Sequence, residues 1–148
     1  MTAEKYMQQA FALAQQAAEA GEVPVGAVVV LNGQIIGEGY NQPIINHDPT
    51  AHAEIQAIRA AAQHLGNYRL VNCDLYVTLE PCMMCVGAMV HARIRKVFFG
   101  AKDPKSGVAG SQSNAFEQIF LNHHVEVQGG ILAQECGQIL KEFFAKRR

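Results

Sequence analysis

Two short segments hold the residues best suited to chemistry. Thr50-Ala51-His52-Ala53-Glu54 supplies an imidazole and a carboxylate. Glu80-Pro81-Cys82-Met83-Met84-Cys85 supplies two thiols. His52, Cys82 and Cys85 make a three-donor set of nitrogen and sulfur, the set that suits zinc. Three protein ligands leave the fourth zinc position open to water, whose pKa the metal lowers to about 7. Glu54 is then the free carboxylate such a site needs to carry protons between that water and a leaving group.

Each half of this pattern has a plainer reading. A lone Cys-x-x-Cys fits a structural zinc site or a redox pair equally well. A structural site, however, takes four protein ligands. The other cysteines, Cys73 and Cys136, are isolated among apolar residues and read as core. His47, His64, His91, His123 and His124 form no pair at finger spacing. A redox pair leaves the His-x-Glu unexplained. Together the two segments specify a catalytic zinc site.

The elements that must position these residues follow from the pattern around them. Thr50 is placed to cap a helix running to about His64, with Gly66 ending it. Asp74 to Leu79 reads as a strand, and Pro81 suits the first turn of a helix reaching about Arg93. Cys82 and Cys85, three apart on that helix, then share a face, and the positive helix N-terminus favours thiolate. His52 and Glu54 are two apart, roughly 200° around a helix, so the carboxylate approaches the metal's water rather than the metal. Both helix N-termini follow loops leaving strands, which sets them at one edge of a sheet.

Upstream, residues 3–20 carry helix formers with Tyr6, Ala10, Leu13, Ala14 and Ala17 at helical spacing, and Gly21 closes the helix. Val25 to Leu31 is a buried strand, and Asn32-Gly33 turns the chain into a second strand, Gln34 to Tyr40. Downstream come a strand at Lys96 to Gly100, a Gly/Ser/Lys loop at Ala101 to Asn114, a strand at Val125 to Gln128, and a helix from Leu132 to Arg147. Its apolar face is expected to hold Ile139, Leu140, Phe143 and Phe144. Residues 115–124 suit no one element. The sum is an α/β fold: three α/β/α layers around a mixed sheet of about five strands.

At 148 residues the chain is expected to be one domain over 1–148. No apolar run spans a membrane, and Met1 to Ala20 has no signal-peptide core, so a cytoplasmic setting with reduced cysteines is expected. Net charge is −1, which excludes coating of nucleic acid by charge alone. The distribution is uneven: residues 1–90 carry 3 Lys/Arg against 8 Asp/Glu, and residues 91–148 carry 9 against 5. The positive charge gathers at His91–Lys96, at Lys102 and Lys105, and at Lys146-Arg147-Arg148. A local basic face suits a phosphate backbone; an ordinary solvated surface is the plainer alternative.

These motifs resemble the cytidine deaminase-like superfamily, and more closely its bacterial tRNA-specific adenosine deaminases. The resemblance is carried by Glu22-Val23-Pro24-Val25-Gly26-Ala27-Val28, Gly37-Glu38-Gly39-Tyr40-Asn41, Asp48-Pro49-Thr50-Ala51-His52-Ala53-Glu54-Ile55 and Asn67-Tyr68-Arg69-Leu70. It continues through Leu75-Tyr76-Val77-Thr78-Leu79-Glu80-Pro81-Cys82, Phe99-Gly100-Ala101-Lys102-Asp103, Asn122-His123 and Phe143-Phe144, and so covers nearly the whole chain.

The resemblance implies one zinc per subunit on His52, Cys82 and Cys85, and Glu54 as proton shuttle. It implies Asn41 as the base-pocket asparagine. It makes the Ala101–Ser111 loop, with Lys102, Asp103 and Lys105, and the C-terminal helix, with Phe143, the grip on a tRNA anticodon stem-loop. It also implies a homodimer. The implied reaction is hydrolytic deamination of adenosine to inosine at the wobble position of an arginine tRNA with an ACG anticodon, a loop whose bases splay out readily. Asp103 beside the two lysines is expected to help select ribose through its 2′-OH; a turn-forming Asp before Pro104 is the plainer alternative. Two competing readings remain: a deaminase of free guanine, cytosine or cytidine, and a zinc-stabilised RNA-binding module, against which the free carboxylate of Glu54 argues.

Overall fold

The apolar, β-branched run after Gly26 forms β1 (Gly26–Leu31). Asn32 and Gly33 both take positive φ, the geometry of a tight hairpin turn, and lead into β2 (Gln34–Tyr40), paired antiparallel to β1. On the other side β1 pairs antiparallel with β3 (Asp74–Leu79). Then β4 (Lys96–Ala101) and β5 (Glu126–Gln128) add in parallel. The mixed five-stranded sheet has the order β2-β1-β3-β4-β5. This computed structural model describes residues 1–147; Arg148, the last residue of the expected basic tail, lies outside the described residues.

Four helices cover the sheet: α1 (Ala3–Glu19), α2 (Ala53–Leu65), α3 (Met83–Ala92) and α4 (Ala133–Ala145). Strand alternation splits the core into two layers. Ala27, Val29, Leu75, Val77, Val97 and Phe99 face α2 and α3. Val28, Val30, Tyr76 and Phe98 face α1 and α4. The expected α/β/α architecture is therefore present. Among the described residues no helix is long and apolar enough to cross a membrane.

Close approach sets where α2 begins. Gly37 and Gly39 of β2 lie flat beneath the Ala53, Ala57 and Ala61 turns, and a Cβ on Gly39 would stand 2.6 Å from the Ala53 carbonyl. The small residues let the helix sit directly on the strand, so its first turn is held at the end of β2. Residue by residue, β1 to β5 agree with the sequence expectation to within a residue or two.

Both site helices start later than expected. The Thr50 hydroxyl and N–H turn back onto Asp48 Oδ1, so Thr50 does not cap α2; His52 occupies the N-cap position. Pro81 stays outside α3, which has Cys82 at its N-cap. On α4, Cys136 and Phe143 are buried while Phe144 is exposed, so the buried stripe is narrower than expected.

Candidate active site

The two late helix starts bring the site together. His52 is the N-cap of α2 and Cys82 the N-cap of α3, with Glu54 and Cys85 in the first turns behind them. His52 Nδ1 lies 3.6 Å from Cys82 Sγ and 3.6 Å from Cys85 Sγ. All three donor atoms fall within 4.8 Å of one another. Tetrahedral zinc, with bonds of about 2.3 Å to sulfur and 2.0 Å to nitrogen, requires an S···N edge of about 3.5 Å. The residues present therefore fit the metal in both type and spacing.

Electrostatics agree with that fit. The Cys85 S–H, and after it His52, pull the Cys82 thiol down to about 4. The neighbouring Cys82 sulfur, and after it burial, push the Cys85 thiol far up. The Cys82 thiolate in turn holds His52 above its ordinary value. A divalent cation binds the thiolate forms, so its binding releases the thiol protons. Glu54 is buried, and burial pushes its carboxyl up to about 7, partly opposed by a backbone N–H and the His52 charge. A carboxyl near neutrality is suited to both taking and giving a proton.

Asn41 is buried at the end of β2, and its Oδ1 accepts the Ala53 N–H at 2.7 Å. This supplies the cap that His52, at the N-cap position, does not make with its own ring. The Asn41 oxygen is thus committed to α2, and among the described residues its amide nitrogen has no protein partner.

The loop after β4 leaves the sheet at the same end, beside the strand end that precedes Cys82. Lys102 and Lys105 are exposed on it, and Asp103 Oδ1 accepts the N–H groups of Lys105 and Ser106. Asp103 is therefore a turn-former, whatever else it does. Phe143, expected at the RNA, is turned inward: it is buried, edge-on to Phe144, with the Arg147 guanidinium 3.5 Å from its ring centre. The exposed ring on α4 is Phe144.

The expected basic face also divides. Leu79 pairs with Ala101 at the site end of the sheet, whereas Asp74 pairs with Lys96 at the other end. That separates Lys96 from the site by about 16 Å of strand. There Arg95 is bonded to Asp74 at 2.6 Å, and Lys96 lies over the Phe98 ring. Of the basic groups, Lys102 and Lys105 stand at the site end.

Sequence reasoning assigned no role to two buried carboxylates. Glu22 accepts the N–H groups of Ile44 and Ile45, in the loop between β2 and α2. Glu80 accepts three N–H groups and a hydroxyl from the loop after β4. Burial opposes ionisation of Glu80, but those donors hold its carboxyl below the usual carboxylate value. The available signal was an acidic residue inside an otherwise apolar strand end, in Thr78-Leu79-Glu80-Pro81.

Known proteins match this architecture and site. The profile of the MafB19-like deaminase family matches residues 1–148. A tRNA-specific adenosine deaminase of Haemophilus influenzae is 53% identical over 146 residues, covering 98% of this chain and 84% of the relative. One from Bacillus subtilis is 47% identical, covering 98% of this chain and 90% of the relative. A solved structure from work on A-to-I editing by tRNA:A34 deaminases at the wobble position superposes with a TM-score of 0.89 at 45% identity, covering 92% of this chain and 99% of that one. With this fold, this donor set and these relatives, the chain belongs to the MafB19-like deaminase family, on the branch of the tRNA-specific adenosine deaminases.

Proposed function

We propose that this protein deaminates the wobble adenosine (A34) of an arginine tRNA with an ACG anticodon, releasing ammonia and leaving inosine. The observation that carries the reading is the convergence of His52, Cys82 and Cys85 beside buried Glu54, in a chain with full-length relatives that are tRNA-specific adenosine deaminases. Within that reading, His52, Cys82 and Cys85 hold one Zn2+ per subunit. The ion, when bound, supplies a water of lowered pKa and stabilises negative charge on oxygen.

The chain's own residues do the rest. Glu54 takes one proton from the attacking water as oxygen adds to C6 of adenine and gives it to N1; it then moves the remaining proton of that oxygen to the amine as the C6–N bond breaks. Adenosine and water thus become inosine and ammonia. Asn41, anchored through its oxygen, presents its amide N–H to the base. Lys102 and Lys105 supply positive charge for the anticodon-loop phosphates. Asp103 orders the turn that carries them and offers an acceptor to a ribose 2′-OH.

The unit is a single deaminase domain over 1–148, working as a homodimer in the cytoplasm. Four unpaired cysteines favour a reducing compartment. The test is a substrate panel: an ACG arginine-tRNA transcript, free adenosine, cytidine and guanine, each assayed for ammonia. Release from the transcript alone supports the reading. Release from a free base alone replaces it with a nucleobase deaminase.

A further inference from the structure

Glu80 lies two residues before Cys82, is buried, and has no part in the proton transfers above. Every hydrogen bond its carboxylate makes goes to one loop. Oε1 accepts the Asp103 N–H at 3.0 Å; Oε2 accepts the Ala109 N–H at 2.9 Å and the Ser111 N–H at 3.0 Å. The Ser111 hydroxyl donates to Oε1. The neighbouring backbone joins in: Glu80 N–H donates to the Ala101 carbonyl, and Val108 N–H to the Pro81 carbonyl. Gly107 lies flat on the carboxylate, where a Cβ would stand 2.3 Å from the carboxyl carbon.

Around this buried anchor the loop is otherwise open, with Lys102, Pro104, Lys105, Ser106, Gly110 and Gln112 exposed. The donors come from both ends of the segment, so one side chain fixes its shape. They also tie it to the strand end that carries Pro81 and Cys82. We propose that Glu80 is a positioning residue for the polynucleotide substrate: it holds the Asp103–Ser111 loop pre-formed against the Cys82 segment, so that Lys102 and Lys105 meet the anticodon-loop phosphates in a set geometry. The inference rests on the tRNA reading above and names the device that readies one of its contact surfaces. A pre-formed loop spares the ordering cost on binding, so the device acts on affinity rather than on the chemical step.

A carboxylate is required because four donors converge on two oxygens that only accept. Glu80→Gln keeps the shape but turns an amide N–H2 toward those donors. The experiment compares metal-loaded wild type with Glu80→Gln, Ser111→Ala and Ser111→Thr. It reads amide hydrogen exchange, zinc content, and KM and kcat on the ACG transcript. In Glu80→Gln the amides of Asp103, Ala109 and Ser111 lose at least about tenfold protection, while those of β1 and β3 keep theirs. KM rises by about tenfold or more, and kcat and zinc content hold.

Ser111→Ala moves both readouts the same way by less, and Ser111→Thr, which keeps the hydroxyl, restores them. Unchanged loop exchange, or a loss of kcat with KM intact, overturns the proposal. If Glu80→Gln does not fold, Ser111→Ala decides: wild-type exchange and KM there overturn it. A wild type inactive on tRNA overturns the proposed function instead, and the exchange data still decide the clamp.

Discussion

Asn41 Oδ1 accepts the backbone N–H of Ala53 at 2.7 Å, so a residue at the end of β2 caps the helix that carries His52 and Glu54. The cap leaves the His52 ring beside the two thiols and commits the Asn41 oxygen to α2, so under the proposed function only its amide N–H serves the base. Two substitutions separate these roles. Asn41→Asp keeps the acceptor and loses the donor: melting temperature stays near wild type while kcat/KM on tRNA falls. Asn41→Ala loses both and costs about 1 kcal/mol more of stability. An Asn41→Asp enzyme as active as wild type would remove the base contact from the account.

Glu54 is tested without disturbing its surroundings by Glu54→Gln, which preserves volume in a buried position. The fold and zinc stoichiometry hold, and turnover falls by about 10²–10⁴-fold, the usual share of general acid–base catalysis. Single-turnover assays on the tRNA transcript check it. Most of the activity surviving would mean that another group moves the proton.

Metal removal sets Cys82 apart from the core cysteines. Chelation leaves Cys82, which is partly exposed, open to iodoacetamide at pH 8. Cys73 and Cys136 stay unmodified in the folded protein, because both are buried and burial pushes the Cys136 thiol up to about 12. Zinc restored before treatment protects Cys82, and Cys82→Ala loses zinc and stability together. Mass mapping reads the result; labelling of Cys82 at equal rates with and without zinc would contradict the ligand assignment.

Asp103→Asn keeps an oxygen for the Lys105 and Ser106 N–H groups, so the turn survives and the charge alone is lost. The ratio of kcat/KM on matched RNA and DNA hairpins then falls if the carboxylate accepts from the ribose 2′-OH. An unchanged ratio leaves Asp103 as a turn-former only.

The His52–Cys82–Cys85 donor group and most strands are readable in the sequence because local rules govern them. His-x-Glu and Pro-Cys-x-x-Cys are short, and alternation of apolar residues marks β1 and β3 directly. What escaped is set by contacts between distant segments. Thr50 and Pro81 are good helix starters, yet the N-cap positions fall to His52 and Cys82: Thr50 bonds Asp48, and Asn41 reaches across to cap α2. Arg95 reads as free positive charge until Asp74, 21 residues upstream, takes it. Phe143 and Phe144 are equivalent in composition, and packing buries one of them. Glu80 reads as an ordinary acid, because its partners lie 23 to 31 residues away.

Under the proposed function the His52–Cys82–Cys85 group and Glu54 form a deaminase centre aimed at one nucleotide of tRNA. The most direct measurement is nucleotide-resolved inosine mapping on an ACG arginine-tRNA transcript, treated with zinc-loaded wild type or with Glu54→Gln. Inosine is expected at the wobble position with wild type, none elsewhere in the transcript, and none with the variant over the same time. Ammonia release without inosine at that position, or equal conversion by the two proteins, would contradict it.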